Sequence, residues 1–138
     1  MKKISFILIV ILFGLFTSNN VFGQTEKINN EIVFKFNNKE IISSKFVDKV
    51  NQKQIDFTIL GLKNKNQVQE LEENISKYRG VISFTIGEKT QNNEYPASIT
   101  LYKYADYWMY YKFLFLNNGI ENVIFDDQKM ESEKLSEL

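Results

Sequence analysis

Between an alternating run that ends near Leu60 and a helical stripe that begins at Val68, the chain reads Gly61-Leu62-Lys63-Asn64-Lys65-Asn66-Gln67. Two ammonium groups and three carboxamides stand where a helix is about to open. Free backbone N–H groups and the helix dipole favour negative charge at such a place. Lys63, Asn64, Lys65, Asn66 and Gln67 therefore form a candidate loop for an anionic group on a partner. The plainer reading is a solvated polar turn with Asn66 near the helix N-cap.

The remaining residues narrow the chemistry. The chain has no histidine and no cysteine, so a serine or cysteine nucleophile would lack its usual base. Glu72-Glu73 and Asp126-Asp127 are adjacent pairs whose side chains diverge, and Asp56 falls on the open side of its strand. All of them read as solvated surface. Asn64 and Gln67 are hard, weak ligands that would need several carboxylates beside them to hold Ca²⁺, and Lys63 and Lys65 repel a cation. No residue set points to catalysis, to a metal or to a cofactor, and the expectation is a protein that is not an enzyme.

A second set carries surface chemistry. The run Tyr107-Trp108-Met109-Tyr110-Tyr111-Lys112-Phe113-Leu114-Phe115-Leu116 has one charge, Lys112. At about 100° per residue, Tyr107, Tyr111 and Leu114 make one stripe, and Met109, Phe113 and Leu116 make another on the opposite side. A helix that is apolar all round must be covered all round, and a sheet covers only one side. Either Phe46 and Val50 of the N-terminal region fold back over Met109, Phe113 and Leu116, or these residues form an interface for self-association or for a partner.

The elements that position these residues are legible in period. Ile32, Phe34 and Phe36 alternate as in a strand, and Ile42, Phe46 and Val50 fall on one face of a helix over about 39–51. Ile55, Phe57 and Ile59 alternate with Asp56 and Thr58. Val68, Leu71, Ile75 and Tyr78 make a helical stripe, with Gln69, Glu70, Glu72 and Glu73 opposite. Gly80 suits the left-handed position after a helix end. Ile82, Phe84 and Ile86 resume a strand, Asn92-Asn93 marks a bend, and Pro96 opens a strand in which Ile99 and Leu101 face one way. Asp106 reads as the N-cap of a helix over about 107–118 that Gly119 stops, and Val123 and Phe125 continue into a last strand. The order strand, helix, strand, strand, helix, strand predicts an α+β fold. Its expected form is a ferredoxin-like βαββαβ sandwich, a four-stranded antiparallel sheet with two helices on one face. Asp56, Thr58, Ser83, Thr85 and Thr100 would decorate the wet face, where Tyr102 stands too isolated to form a stacking platform.

Gly61 at the end of the first strand, Gly80-Val81 before the second and Gly119-Ile120 before the last give residues 54–126 a resemblance to the heavy-metal-associated domain. That family carries Gly-Met-x-Cys-x-x-Cys in the first loop. Here Leu62 replaces the methionine, Asn64 stands at the first cysteine position and Gln67 at the second. The resemblance implies the ferredoxin-like fold, and the missing thiolates remove the family's soft-metal chemistry. Acylphosphatases share the same order of elements, but they need an arginine in this loop, and Arg79 lies at the far end of the helix.

The first 23 residues read as a signal peptide. Lys2 and Lys3 precede an apolar run over 4–16, shorter than the roughly 20 residues that span a bilayer, and Val21 and Gly23 suit a cleavage site. Residues 24–53 would form a strand-plus-helix extension, and 127–138 a polar tail or a short surface helix. Cleavage leaves roughly 115 residues, the size of one domain, with no membrane span expected. Formal net charge is zero for the whole chain, which gives no pull toward nucleic acid. The expectation is an exported protein, periplasmic or extracellular, that binds an unknown protein partner or itself without catalysis. The alternatives are metal handling through a non-cysteine site and a protease inhibitor or propeptide whose residues 126–138 enter the protease.

Overall fold

Six strands form one mixed sheet in this computed structural model, which describes residues 31–39 and 51–138. The expected signal segment lies outside the described residues, as does nearly all of the expected 39–51 helix with Phe46 and Val50. In chain order the elements are strand β1 (Val33–Phe36), strand β2 (Gln52–Leu60), helix α1 (Lys65–Ser76), strand β3 (Val81–Ile86) and strand β4 (Tyr95–Tyr102). A 3-10 turn (Lys103–Ala105) leads to helix α2 (Trp108–Asn117). Strand β5 (Asn122–Phe125), strand β6 (Gln128–Glu131) and a 3-10 turn (Ser132–Glu137) complete the chain. The fold is α+β, as the alternation and stripes predict.

The sheet is not the expected four-stranded antiparallel one. Its order is β3-β4-β2-β1-β5-β6. β1 enters between β2 and β5, antiparallel to the first and parallel to the second. The remaining pairs, β2–β4, β3–β4 and β5–β6, are antiparallel. The physical reason is the phenylalanine pattern of β1. Phe34 and Phe36 are buried on the core face, with ring centroids 4.8 and 5.0 Å from Phe57. Phe36 also stacks on Phe125 at 5.2 Å, and Phe34 meets Phe115 edge-on at 5.3 Å. Aromatic rings of this kind bury about 150–250 Å² each, so β1 lies in the centre of the sheet and is no peripheral extension.

Gly61 serves this insertion. Its φ is +86°, and a Cβ there would collide with the Glu31 carbonyl oxygen just before β1. Glu31 is held in turn by Asn122 and by Lys129, whose ammonium lies 2.6 Å away. The hydrogen bond from Lys129 and the one from Asn122 lower the Glu31 pKa against the opposing effect of burial.

The span expected to be a polar tail or a short surface helix forms β6 and a final 3-10 turn. Asp126 and Asp127 both have positive φ, 50° and 63°, and they make the two-residue turn that returns β6 against β5. Leu135 in the final turn is fully buried. α1 buries Leu71 and Ile75, as its stripe predicts, with Val68 and Tyr78 packed against the core. The opposite sheet face is wet: Asp56, Ser83 and Thr85 are exposed, and Thr58 and Thr100 half-buried. Glu72, expected in solvent, instead accepts the Ile86 N–H at 2.9 Å, and the Ser76 hydroxyl donates to the Phe84 carbonyl at 3.3 Å. These two side chains engage backbone groups on the free edge of β3, which would otherwise offer itself to another strand.

Candidate functional site

The loop before α1 closes on itself. Asn64, not Asn66, is the N-cap, in extended geometry with φ −150° and ψ 169°. Its side-chain oxygen accepts the Gln67 N–H at 3.0 Å, and the Gln67 side-chain oxygen accepts the Lys63 N–H at 2.9 Å. This is a variant of the capping box built from amides: the Asn64 bond satisfies a donor that the helix start leaves open, and the Gln67 return bond reaches the residue before the cap instead of the cap itself. The residues at the family's two cysteine positions thus act as helix caps. The sequence pattern Asn-x-x-Gln carried that signal.

Lys63, Asn64 and Lys65 line an open groove of about 700 Å³ whose far wall is Ile86, Gly87, Glu88, Lys89 and Tyr95. Asn66 and Gln67 are not part of that lining. Lys89, which sequence reasoning passed over, sits 6.0 Å above the Tyr95 ring. Three lysines and one glutamate give the groove a positive excess. Among the described residues no group of three or more His, Cys, Asp or Glu side chains is placed to hold a metal ion.

The second candidate region is α2. Trp108, Tyr111 and Leu114 turn toward the sheet side, with Trp108 edge-on to Phe125 at 6.1 Å. On one flank stands the end of α1: Asn117 donates to the Tyr78 hydroxyl at 2.9 Å, and the Tyr78 and Tyr110 rings lie 5.9 Å apart. On the other flank stands the C-terminal turn, where the Lys112 ammonium pairs with Glu133 at 2.6 Å. The face between these flanks carries Met109, 44% exposed, Phe113, 50% exposed, and half-buried Leu116. The three residues therefore share the outward face. Tyr107, assigned to the core stripe by its spacing, is 53% exposed, and the core positions are Tyr110, Tyr111, Leu114 and Phe115. Tyr107 precedes the regular turns of the helix, so the 100° spacing does not reach it.

A third constellation escaped sequence reasoning. Asp106 does not cap α2, whose N-cap position is Tyr107 and has no side-chain cap bond. Its carboxylate turns inward, accepting from the Lys53 ammonium at 2.9 Å and from the Tyr111 hydroxyl at 2.6 Å. The Lys53 and Asp106 side chains are 7% and 8% exposed. Burial pulls the Lys53 ammonium below its ordinary range, although Asp106 acts the other way. Burial, and then the bond to Asp106, push the Tyr111 phenol above its ordinary range. A paired charge is what such burial requires, and the triad joins the start of β2 to the start of α2. Lys53 shares the strand parity of Ile55, Phe57 and Ile59, which was the readable signal.

Around this turn the tyrosines gather. The Tyr102 and Tyr104 rings stack at 5.6 Å and 8°, so Tyr102 is not isolated. Tyr110 donates its hydroxyl to the Arg79 carbonyl at 2.8 Å. Gly80, with φ +99°, leaves room for that phenol, since a Cβ there would sit 2.8 Å from the Tyr110 oxygen. No described helix is long and apolar enough to cross a membrane. Compared with models of protein families, with curated proteins and with solved structures, the chain matches none.

Proposed function

We propose that this chain is an exported, non-catalytic binding protein that engages a partner protein, or a second copy of itself, through the outward face of α2. The observation that carries the reading is the exposure of Met109 and Phe113 on a helix whose other sides are occupied by the sheet, α1 and the C-terminal turn. Large apolar side chains set together in solvent mark interaction surfaces, and aromatic residues and methionine are enriched in interface cores. In this reading residues 54–126 are a ferredoxin-like unit related to the heavy-metal-associated domain. The arrangements β2-α1-β3 with β4 between the two strands, and β4-α2-β5, support it. Such a unit would have admitted β1 between its first and last strands and replaced its thiolates with a capping box.

The test is affinity capture from the protein's own envelope extract, run in parallel with sedimentation of the purified chain. A partner or a dimer seen with the wild type and lost with Phe113→Asp is the expected result. Identical capture and sedimentation for both proteins would overturn the reading.

A further inference from the structure

We propose that the end of the molecule where α1 finishes and α2 begins docks an acidic segment of a partner protein, one that sets carboxylates beside an apolar anchor. The proposal rests on the α2 reading above and gives its partner a chemistry. Two backbone-directed bonds place the relevant segments side by side: the Tyr102 N–H donates to the Gly80 carbonyl at 3.0 Å, and the Tyr110 hydroxyl to Arg79 at 2.8 Å. Tyr104 and Tyr107 are 60% and 53% exposed there. The stacking of Tyr104 on Tyr102 holds part of this aromatic surface in place before any partner arrives.

The charges on these segments are unbalanced. Arg79, the chain's only arginine, is exposed, and among the described residues its guanidinium has no hydrogen-bond or ion-pair partner. Lys77 is exposed and meets Glu73 only at 3.6 Å across the solvated helix surface, a weak pairing. Across 77–82 and 102–109 the single carboxylate is Asp106, which is turned inward onto Lys53 and Tyr111. Among the described residues, this end of a chain of zero net charge is thus positive and tyrosine-rich. Arginine and tyrosine are the residue types that dominate binding hot spots. The guanidinium fork takes a carboxylate bidentately, and tyrosine supplies rigid contact area at low conformational entropy.

Few cations argue for a peptide over a polyanion. Lipid surfaces are read by clusters of roughly four to eight basic residues, and nucleic-acid affinity scales with the number of phosphates neutralised.

The test is selection of a phage-displayed library of random dodecapeptides on the immobilised protein, followed by fluorescence polarisation with the enriched peptides. The expected result is an excess of Asp and Glu next to Phe, Leu or Tyr. Affinity should fall at least about tenfold on Arg79→Glu or Tyr104→Ala and should weaken as salt rises, while both variants keep the wild-type melting temperature. Enriched peptides without an acidic excess that are still lost on Phe113→Asp would overturn the acidic partner and leave the α2 reading standing. Failure to enrich any peptide would overturn the proposal. Arg79-dependent flotation with phosphatidylglycerol vesicles in that case would assign this end to a membrane surface instead.

Discussion

Helix α1 buries Leu71 and Ile75 and turns Gln67, Glu72 and Ser76 to internal bonds, whereas helix α2 buries Tyr110, Tyr111, Leu114 and Phe115 and still leaves Met109 and Phe113 in solvent. α1 is closed at its start by the Asn64–Gln67 box, and its Glu72 and Ser76 bond to β3. α2 starts without a side-chain cap, and the acid expected to supply one is drawn into the core instead. The side chains of Asn64, Gln67, Glu72 and Ser76 already have partners within the molecule. The outward face of α2 has none among the described residues. That difference is what the proposed binding face on α2 rests on.

The comparison can be broken most severely at the buried triad. Asp106→Ala removes the acceptor shared by Lys53 and Tyr111 and is expected to lower stability by about 3–5 kcal/mol in denaturant unfolding. Adding Lys53→Met to that variant should restore part of the loss, because the buried cation goes too. A loss below about 1 kcal/mol for Asp106→Ala would mean that the triad does not hold α2 to β2.

The next effect concerns β1. Gly61→Ala places a Cβ against the Glu31 carbonyl at a positive φ. It should destabilise by more than the roughly 1–2 kcal/mol that a left-handed residue costs alone. A neutral result would place β1 elsewhere than against Gly61.

Alkaline titration sharpens the picture of the α2 core. Tyr110 and Tyr111 are both pushed above the ordinary phenol range by burial, Tyr111 also by Asp106. Unfolded tyrosines ionise near about pH 10. The stability contributed by the two protonated phenols is therefore complete below about pH 10 and is lost as pH rises toward and through the folded values. Phenolate absorbance followed beside circular dichroism should show two of the seven tyrosines ionising only as the fold is lost. No phenol lagging behind would contradict that placement.

The smallest of these effects is the cap. Asn64→Ala should cost about 1 kcal/mol, with Gln67→Ala removing the return half of the box.

Much of this contrast was readable in the sequence, for physical reasons that also explain the omissions. The stripe Val68, Leu71, Ile75 and Tyr78 and the alternation around Phe57 are local periodicities, so α1 and β2 appear where expected. Met109, Phe113 and Leu116 share a helical face by spacing alone. The place of β1 was not readable, because strand neighbours are chosen by long-range packing, here by Phe34 and Phe36 against Phe57, Phe115 and Phe125. Nor was strand β6 within 127–138, whose polar composition hides one buried anchor, Leu135, behind a turn made by Asp126 and Asp127. At the loop before α1 the Asn-x-x-Gln pattern was legible, but the bond from the Lys63 N–H to Gln67 needed coordinates.

The central claim, that the α2 face exists for binding and not for folding, is tested most directly by measuring the unfolding free energy of Phe113→Asp. The expected value lies within about 0.5 kcal/mol of wild type, as for an exposed position. A loss of about 2 kcal/mol or more would show that Phe113 is covered within the fold, and would contradict the account.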